Sequence, residues 1–273
     1  MTVGEAIRTA AEALAPVSDT ARLDAELLMA HLFGVTRSEL LLRHMRDPAP
    51  PGFTTLVERR AGHEPVAYII GRQEFYGLPF IVTPATLIPR GDSETLVEAA
   101  LTVRPDAARV LDLGTGSGAL LLAVLAHLRG AQGIGIDRSA DAVGVAARNA
   151  EQLGLRPQAT FLEGDWHAPG WDDDLGTFDL ILCNPPYVET TAALDPQVAD
   201  FEPATALFAG PEGLDDYRAL IPQLRALMNE AALAVLEIGA NQAEAVGALA
   251  AASGFATELR RDLAGRPRAL LLS

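Results

Sequence analysis

The sequence Val110-Leu-Asp-Leu-Gly-Thr-Gly-Ser-Gly-Ala119 places a short apolar run directly before a turn that contains three glycines. The apolar run predicts a buried β-strand, and the leucine- and alanine-rich sequence after it predicts a helix from about Ala119. Glycine has no Cβ atom, so backbone N–H groups in such a turn stay open to close approach by a ligand. The stretch therefore predicts a strand, a ligand-binding turn and a helix in succession.

The alternation of strand and helix continues beyond this turn. Further strands are expected at residues 133–137, 159–162, 178–183 and 233–238, with a helix over residues 146–153. This alternation is typical of a parallel sheet with helices on both faces. The apolar runs at 255–259 and 268–272 predict a terminal antiparallel hairpin. We therefore predict an α/β fold with a doubly wound, mostly parallel sheet for residues 90–273.

The amino-terminal part of the chain has a different pattern. Over residues 1–72 the apolar residues recur every three or four positions, which predicts a small helical bundle. Residues 73–89 contain two short β-type runs, with Gly77 and Pro79 at the expected turn. We predict a helical domain over 1–72, a β-hairpin linker over 73–89 and the α/β domain over 90–273.

Composition excludes several classes of protein. Hydrophobic residues make up 49% of the 273, which is enough to bury a substantial core. The net charge of −15 opposes any partner bound mainly through phosphates, so nucleic acid is not expected. All 21 basic residues are arginines, so Schiff-base chemistry has no lysine to use.

Cysteine and histidine usage adds to these exclusions. The single cysteine, Cys183, permits no internal disulfide and fits a reducing compartment. The five histidines are scattered without metal-ligand spacing, so no metal site is expected. No segment approaches the roughly 20 apolar residues that cross a bilayer. We therefore expect a soluble, cytoplasmic protein that does not bind membranes.

Two classes of ligand fit the glycine turn. The turn satisfies the permissive dinucleotide pattern, and Asp137 follows Gly118 by 19 residues, as a ribose-binding carboxylate should. A nicotinamide enzyme is therefore one interpretation. S-Adenosylmethionine is the other, because its cationic groups would favour Asp112 just upstream of the turn. A tight turn that binds no ligand is a third interpretation, which Asp137 makes less favourable.

Gly164-Asp165-Trp166 follows the third predicted strand. Asp165 can accept a hydrogen bond from an exocyclic adenine amine, and Trp166 offers a surface on which a ring can stack. A tryptophan beside a glycine also serves simple packing, so this signal depends on its neighbours.

Asn184-Pro-Pro-Tyr187 is the most specific motif in the chain. It directly follows the apolar strand 178–183, at the edge of the sheet where ligands of doubly wound folds bind. Two prolines fix φ and remove two N–H donors, which leaves a stiff loop. The Asn184 side chain and the Pro185 carbonyl can accept both hydrogens of a planar NH₂ group, with Tyr187 packed against it. We expect these three residues to hold a carboxamide or a base amine beside a methyl donor.

The chain resembles the protein-(glutamine-N5) methyltransferases of peptide chain release factors, the HemK or PrmC family of class I S-adenosylmethionine-dependent enzymes. The matching segments run nearly from end to end: Glu64–Gly71, Glu74–Gly77, Leu87–Arg90, Glu94, Val110–Gly118, Asp137, Gly164–Trp166, Asn184–Tyr187, Glu202-Pro203 and Glu237–Gly239. The resemblance implies methyl transfer from S-adenosylmethionine to the glutamine of the Gly-Gly-Gln loop in release factors, which are then the expected partners.

The resemblance also assigns residues. It implies cofactor binding at 114–118, Asp137, Trp166 and Asn184, and substrate binding by the Asn184–Tyr187 motif. With the residues argued above, the candidate cofactor-binding set is Asp112, Gly114, Thr115, Gly116, Ser117, Gly118, Asp137, Asp165, Trp166 and Asn184. The candidate catalytic residues are Asn184, Pro185 and Tyr187, and Pro186 joins them in the substrate-binding set. One departure is that Arg90-Gly-Asp-Ser-Glu94 stands where the family has Arg-Pro-Asp-Thr-Glu, and losing that proline makes the segment more flexible.

Three other functions remain open on the sequence. A methyltransferase for a ribosomal-protein glutamine would share chemistry and fold, although Glu74–Gly77 and Asp92 with Glu94 favour the release-factor branch. An adenine-N6 methyltransferase uses the same motif on an extruded base, but the acidic charge opposes it. A binding module that has lost activity is the third. We further expect residues 1–71 to recognise the release factor, and the segment 189–213 to lie over the substrate entrance and to be mobile.

Overall fold

The chain divides into two compact units in a computed structural model that describes all 273 residues. The first, here the helical unit, comprises Met1–Arg72 together with the separate segment Leu194–Phe201. The second, here the α/β unit, comprises Gln73–Ala193 and Glu202–Ser273. None of the helices combines the length and the apolar content that a bilayer crossing requires.

The helical unit contains one π-helix, Leu40–His44, and six α-helices, most of them short. They are α1 (Val3–Leu14), α2 (Ala21–Phe33), α3 (Arg37–Glu39), α4 (Phe53–Ala61), α5 (Val66–Ile70) and α9 (Pro196–Ala199). Helix α1 begins with a capping box, because the Thr2 side chain accepts from the Glu5 N–H and the Glu5 carboxylate accepts from the Thr2 N–H. Helix α2 ends at Gly34 in the left-handed conformation. The predicted helical bundle is confirmed.

The hairpin consists of β1 (Arg72–Phe75) and β2 (Leu78–Ile81), joined by Tyr76 and Gly77, both with positive φ. Two positive φ angles match the twist of a two-residue hairpin turn. The prediction that Pro79 shares this turn is wrong, since Pro79 lies inside β2. A strand of a two-stranded sheet is an edge, where the missing proline N–H breaks no ladder.

The α/β unit is built on a seven-stranded sheet. Its strands are β3 (Arg109–Leu113), β4 (Gln132–Asp137), β5 (Ala159–Glu163), β6 (Phe178–Cys183), β7 (Met228–Glu237), β8 (Thr257–Arg261) and β9 (Pro267–Leu272). They lie in the order β5-β4-β3-β6-β7-β9-β8. The first five in that order are parallel, and β9 is antiparallel to both neighbours. The predicted sheet and its terminal hairpin are confirmed.

Helices cover both faces of this sheet. They are α6 (Glu94–Val103), α7 (Ala119–His127), α8 (Ala140–Gln152), α10 (Asp215–Leu224) and α11 (Ala243–Ala252). Alternate strand residues enter different cores: Val110 packs in the core that contains α6 and α7, whereas Leu111 packs in the core that contains α10 and α11. Burial on both faces explains why these strands are apolar runs without alternation.

The order of the strands places the two main motifs side by side. The chain leaves β3 for β4 on one side, while β6 lies on the other side of β3. Leu113, the last residue of β3, is the register partner of Cys183, the last residue of β6. The glycine turn and the Asn184 motif therefore begin next to each other at the switch point, where doubly wound folds bind ligands.

Candidate active site

The glycine turn leaves β3 in a conformation that only glycine adopts readily. Gly114 has a φ of 72°, and its N–H and that of Thr115 donate to the Ile136 carbonyl at 2.9 and 2.8 Å. A Cβ atom at Gly114 would lie 3.4 Å from Cη2 of Trp166 and 3.7 Å from the Asn184 carbonyl oxygen. Three of the predicted segments therefore meet around one glycine, and a side chain there would fill the space between them.

Asp137 ends β4 and is fixed by two backbone donors. Its Oδ2 accepts from the Gly116 N–H and its Oδ1 from the Ser139 N–H, both at 2.9 Å. Burial raises the pKa of Asp137, while these two hydrogen bonds act in the opposite direction. Each carboxylate oxygen keeps lone pairs for further donors, which a ribose diol would supply.

Asp112 lies in β3 and is buried. Its Oδ2 accepts a 2.6 Å hydrogen bond from the Thr115 hydroxyl, whereas its Oδ1 is buried without a hydrogen-bond partner. Burial raises the pKa of Asp112 to about 7. A buried carboxylate oxygen without a partner is costly, and a cationic ligand group would compensate it.

Trp166 is buried and is anchored by a residue that sequence reasoning missed. Its Nε1 donates to Oδ1 of Asp216 at 3.0 Å, and Nε2 of His167 lies 3.0 Å from the same oxygen. Asp216 stands in the first turn of α10, where acidic residues are ordinary for helix stability, so its sequence carried no signal of this contact. Asp165 accepts from the His167 N–H at 2.9 Å.

The Asn184 motif leaves β6 toward the same edge of the sheet. Tyr187 is half-buried, and its hydroxyl donates to Oε1 of Glu237 at 3.2 Å. Burial, and secondly the charge of Glu237, raise the pKa of the Tyr187 hydroxyl, which therefore stays protonated at neutral pH. The backbone carbonyl of Tyr187 accepts from Nε2 of Gln242 at 3.0 Å.

A cavity of about 220 Å³ opens at this edge of the sheet. Eight of the candidate residues line it: Gly114, Thr115, Gly116, Ser117, Asp137, Trp166, Asn184 and Pro186. The other five candidates, Asp112, Gly118, Asp165, Pro185 and Tyr187, are not among its lining residues. The structure therefore brings the glycine turn, the β4 carboxylate, the tryptophan and the asparagine to one cavity.

A second group of residues lines the same cavity from two segments of the chain. Residues 85–87, with Pro89 and Arg90, come from the segment after the hairpin, and Pro203, Thr205 and Ala206 come from the segment after the Asn184 motif. Glu202 joins the two segments, because its buried carboxylate accepts from the Ile88 N–H at 3.1 Å and pairs with Arg90. Sequence reasoning gave neither charged residue a role.

The chain matches two family models and several curated proteins. A PrmC N-terminal domain matches residues 5–71, and a methyltransferase domain matches residues 105–240. Release factor glutamine methyltransferase of Rhodospirillum rubrum is 44% identical over 257 residues, which cover 92% of this chain and 78% of that protein. The protein of the same name from Geobacter sulfurreducens is 41% identical, covering 87% of this chain and 84% of its own length.

Solved structures with low identity share the fold. The catalytic domain of hMettl16, in complex with MAT2A 3′UTR hairpin 6, aligns with a TM-score of 0.58 at 16% identity, over 80% of this chain and 81% of that one. A methyltransferase from Pyrococcus furiosus aligns with a TM-score of 0.51 at 14% identity, over 72% and 88%. With identities above 40% to curated relatives across most of its length, the chain belongs to the release factor glutamine methyltransferase family.

Proposed function

We propose that this protein transfers a methyl group from S-adenosylmethionine to the side-chain nitrogen N5 of the glutamine in the Gly-Gly-Gln motif of peptide chain release factors. The observation that carries the proposal is the single cavity lined by Asn184, Gly114 and Asp137. A planar amide held by Asn184 would lie beside whatever the glycine turn binds. The family assignment supports the same substrate, since the curated relatives are named for it.

The residues around the glycine turn fit S-adenosylmethionine in charge. Asp112 has one buried oxygen without a partner and a raised pKa, which suits the ammonium or sulfonium charge of this cofactor. Asp137 suits the ribose hydroxyls, and Trp166 suits the adenine ring. A dinucleotide would instead bring a pyrophosphate to the turn beside Asp112, and like charges oppose that arrangement.

When bound, S-adenosylmethionine supplies a methyl group that is electrophilic because of the neighbouring sulfonium. The protein's residues position the nucleophile. Asn184 Oδ1 and the Pro185 carbonyl accept the two amide hydrogens of glutamine, which orients its nitrogen and favours a tetrahedral geometry. Tyr187 packs against the flat amide and keeps it in line, so that positioning supplies most of the rate enhancement. Transfer of the methyl group leaves the amide nitrogen protonated and positively charged, and this cation is acidic enough to release its extra proton to water without a strong base nearby.

We further propose that the helical unit recognises the body of the release factor, because one glutamine side chain offers too little contact to select a protein. A chain that begins at residue 73, checked for folding by cofactor calorimetry, should then show a raised KM for the intact factor. Its KM for a short Gly-Gly-Gln peptide should change little. Equal losses on both substrates would contradict this role.

Release factors act on ribosomes, so the cytoplasm remains the expected compartment.

The function is tested by incubating the purified protein with radiolabelled S-adenosylmethionine and, in parallel, a release factor, a ribosomal-protein substrate or DNA. We expect label on the Gly-Gly-Gln glutamine alone, located by mass spectrometry of peptides. Asn184→Ala should abolish most of the transfer. Asn229→Ala is the matched control. Asn229 lies at the start of β7, where its side chain donates a hydrogen bond to Asp179 of β6, and it does not line the cavity. Label on the ribosomal protein or on DNA instead would overturn the assignment.

A further inference from the structure

Tyr187 is held at both of its ends by residues from the carboxyl end of β7 and the loop that follows. Its hydroxyl donates to Glu237, and its backbone carbonyl accepts from Gln242. We propose that Glu237 and Gln242 are positioning residues, which act through Tyr187 to aim the Asn184 motif at the substrate amide. The inference rests on the proposed function and adds two residues to it.

Glu237 is itself held firmly, as a positioning residue must be. Its side chain is 2% exposed, and its other oxygen, Oε2, accepts a hydrogen bond from the Ser93 hydroxyl. Nη1 of Arg268 lies 4.0 Å from Oε1, the oxygen that accepts from the Tyr187 hydroxyl. Arg268 is in turn fixed by Asp92 at 2.8 Å. The carboxylate therefore has little freedom to follow Tyr187, and the hydroxyl must align with it.

Gln242 holds the backbone of Tyr187 from the opposite end. Its Nε2 donates to the Tyr187 carbonyl at 3.0 Å and to the Gly213 carbonyl at 3.1 Å, while its Oε1 accepts from the Gly239 N–H at 3.0 Å. All the hydrogen-bonding groups of this amide but one lone pair are thus engaged. A Cβ atom at Gly213 would lie 2.3 Å from the Tyr187 carbonyl oxygen, so a glycine is required where the two backbones approach.

The position of Tyr187 in the motif transmits this restraint. Two prolines with fixed φ separate it from Asn184, so a shift at Tyr187 moves the stiff segment that carries the two amide acceptors. Neither Glu237 nor Gln242 lines the cavity. Losing their contacts with Tyr187 should therefore leave cofactor binding unchanged. Turnover of the amide should fall, because catalysis that depends on position is sensitive to a displacement of a fraction of an ångström.

The test is a double-mutant cycle between Glu237→Ala, which removes the acceptor of the Tyr187 hydroxyl, and Tyr187→Phe, assayed on a release factor with full-length protein. Each single variant should lose about tenfold in kcat or more, and the double variant should lose no more than Tyr187→Phe alone. The Kd for S-adenosylmethionine, measured by calorimetry, should stay within about twofold of wild type, which shows that the fold is intact. Glu258→Ala is the matched control, since Glu258 lies exposed on β8 of the same sheet.

A second variant keeps the inference testable if Glu237→Ala fails to fold. Gln242→Glu retains the acceptor for the Gly239 N–H and loses the donor to Tyr187, so it should lower kcat with unchanged cofactor affinity. Wild-type kcat in Glu237→Ala or in Gln242→Glu, or additive losses in the cycle, would overturn the inference. A wild-type protein that fails to label the release factor would instead overturn the proposed function, so the two failures are distinguishable.

Discussion

The Thr115 hydroxyl donates a 2.6 Å hydrogen bond to Oδ2 of Asp112, and the other oxygen of that carboxylate is buried without a partner. The glycine turn thus supplies a hydrogen bond to only one of the two oxygens of the Asp112 carboxylate. Burial raises the pKa of Asp112 to about 7, and the nearby carboxylate of Asp137 contributes to this increase. The group is therefore poised to ionise when a cation arrives, and both cofactor binding and stability should depend on it.

The affinity for S-adenosylmethionine should depend on pH through Asp112. Above about pH 7 the carboxylate is already ionised, whereas below it the cofactor must displace a proton, so the affinity should fall by up to about tenfold per pH unit. Calorimetry between pH 5.5 and 8.5, values chosen to span roughly that pKa, measures this. Asp112→Asn should bind weakly with a flatter profile, and Asp106→Asn, at an exposed position, should resemble wild type. A flat wild-type profile would rule out the coupling.

Asp112→Asn should stabilise the protein when no cofactor is present. The folded-state pKa lies above the ordinary value of 3.8, so folding favours the protonated form. Ionised Asp112 therefore lowers the free energy of unfolding. This loss of stability is complete above about pH 7 and decreases as the pH falls toward about 4, and a neutral asparagine avoids it. At pH 8 we expect Tm to rise by several degrees, at about 2–4 °C for each kcal/mol, with a smaller rise at pH 5.5. An equal Tm at both values would contradict this origin.

The features that were predictable from the sequence are those that a strand and its own exit loop determine. Apolar runs before Gly114 and Asn184 identified the strands, and the residue types after them identified the chemistry. The partners of those motifs were not predictable, because they come from distant elements. Asp216 and Glu237 reach Trp166 and Tyr187 across about 50 residues of sequence, through helix packing and strand order. Local patterns carry no information about such pairings.

The contact between Asp216 and Trp166 predicts a difference between two variants. Asp216→Ala leaves the buried Nε1 of Trp166 without an acceptor, which costs about 1–3 kcal/mol and frees the ring. Cofactor affinity should fall about tenfold as a result. Asp216→Asn keeps an acceptor oxygen and should remain within about threefold of wild type. Calorimetry with S-adenosylmethionine decides, and equal affinities in the two variants would show that the hydrogen bond does not position the ring.

The pair of Arg90 and Glu202 predicts a separate effect on the protein substrate. Glu202→Ala removes the acceptor shared by Arg90 and the Ile88 N–H, and so loosens the two segments that line the cavity beside the cofactor residues. We expect the KM for the release factor to rise about tenfold, with the cofactor Kd nearly unchanged. Glu212→Ala, which removes an exposed ion pair with Arg218, is the control and should change neither constant. A weakened cofactor Kd with normal KM would show that these two segments hold the cofactor and not the protein substrate.

The helical unit contains a buried ion pair whose loss should be costly. Nε of Arg60 donates to Oδ2 of Asp24 at 2.7 Å, and both side chains are more than nine-tenths buried. The hydroxyls of Ser18 and Thr20 also donate to this carboxylate, so Asp24 has donors besides the arginine, whereas Nη1 of Arg60 has no hydrogen-bond partner. Removing Asp24 therefore leaves a buried cation uncompensated, while removing Arg60 leaves a carboxylate that two hydroxyls still solvate.

Asp24→Ala should accordingly destabilise the helical unit by about 3–5 kcal/mol, and Arg60→Met by clearly less. Urea unfolding followed by circular dichroism measures both. In the double variant, Asp24→Ala with Arg60→Met, the uncompensated charge is absent, so part of the stability lost in Asp24→Ala should return. Asp19→Ala changes an exposed residue just before α2, the helix that contains Asp24. Its free energy of unfolding should lie within about 0.5 kcal/mol of the wild-type value. If Arg60→Met proves the more damaging substitution, the arginine stabilises through the packing of its stem, and the ion pair is not the main contribution.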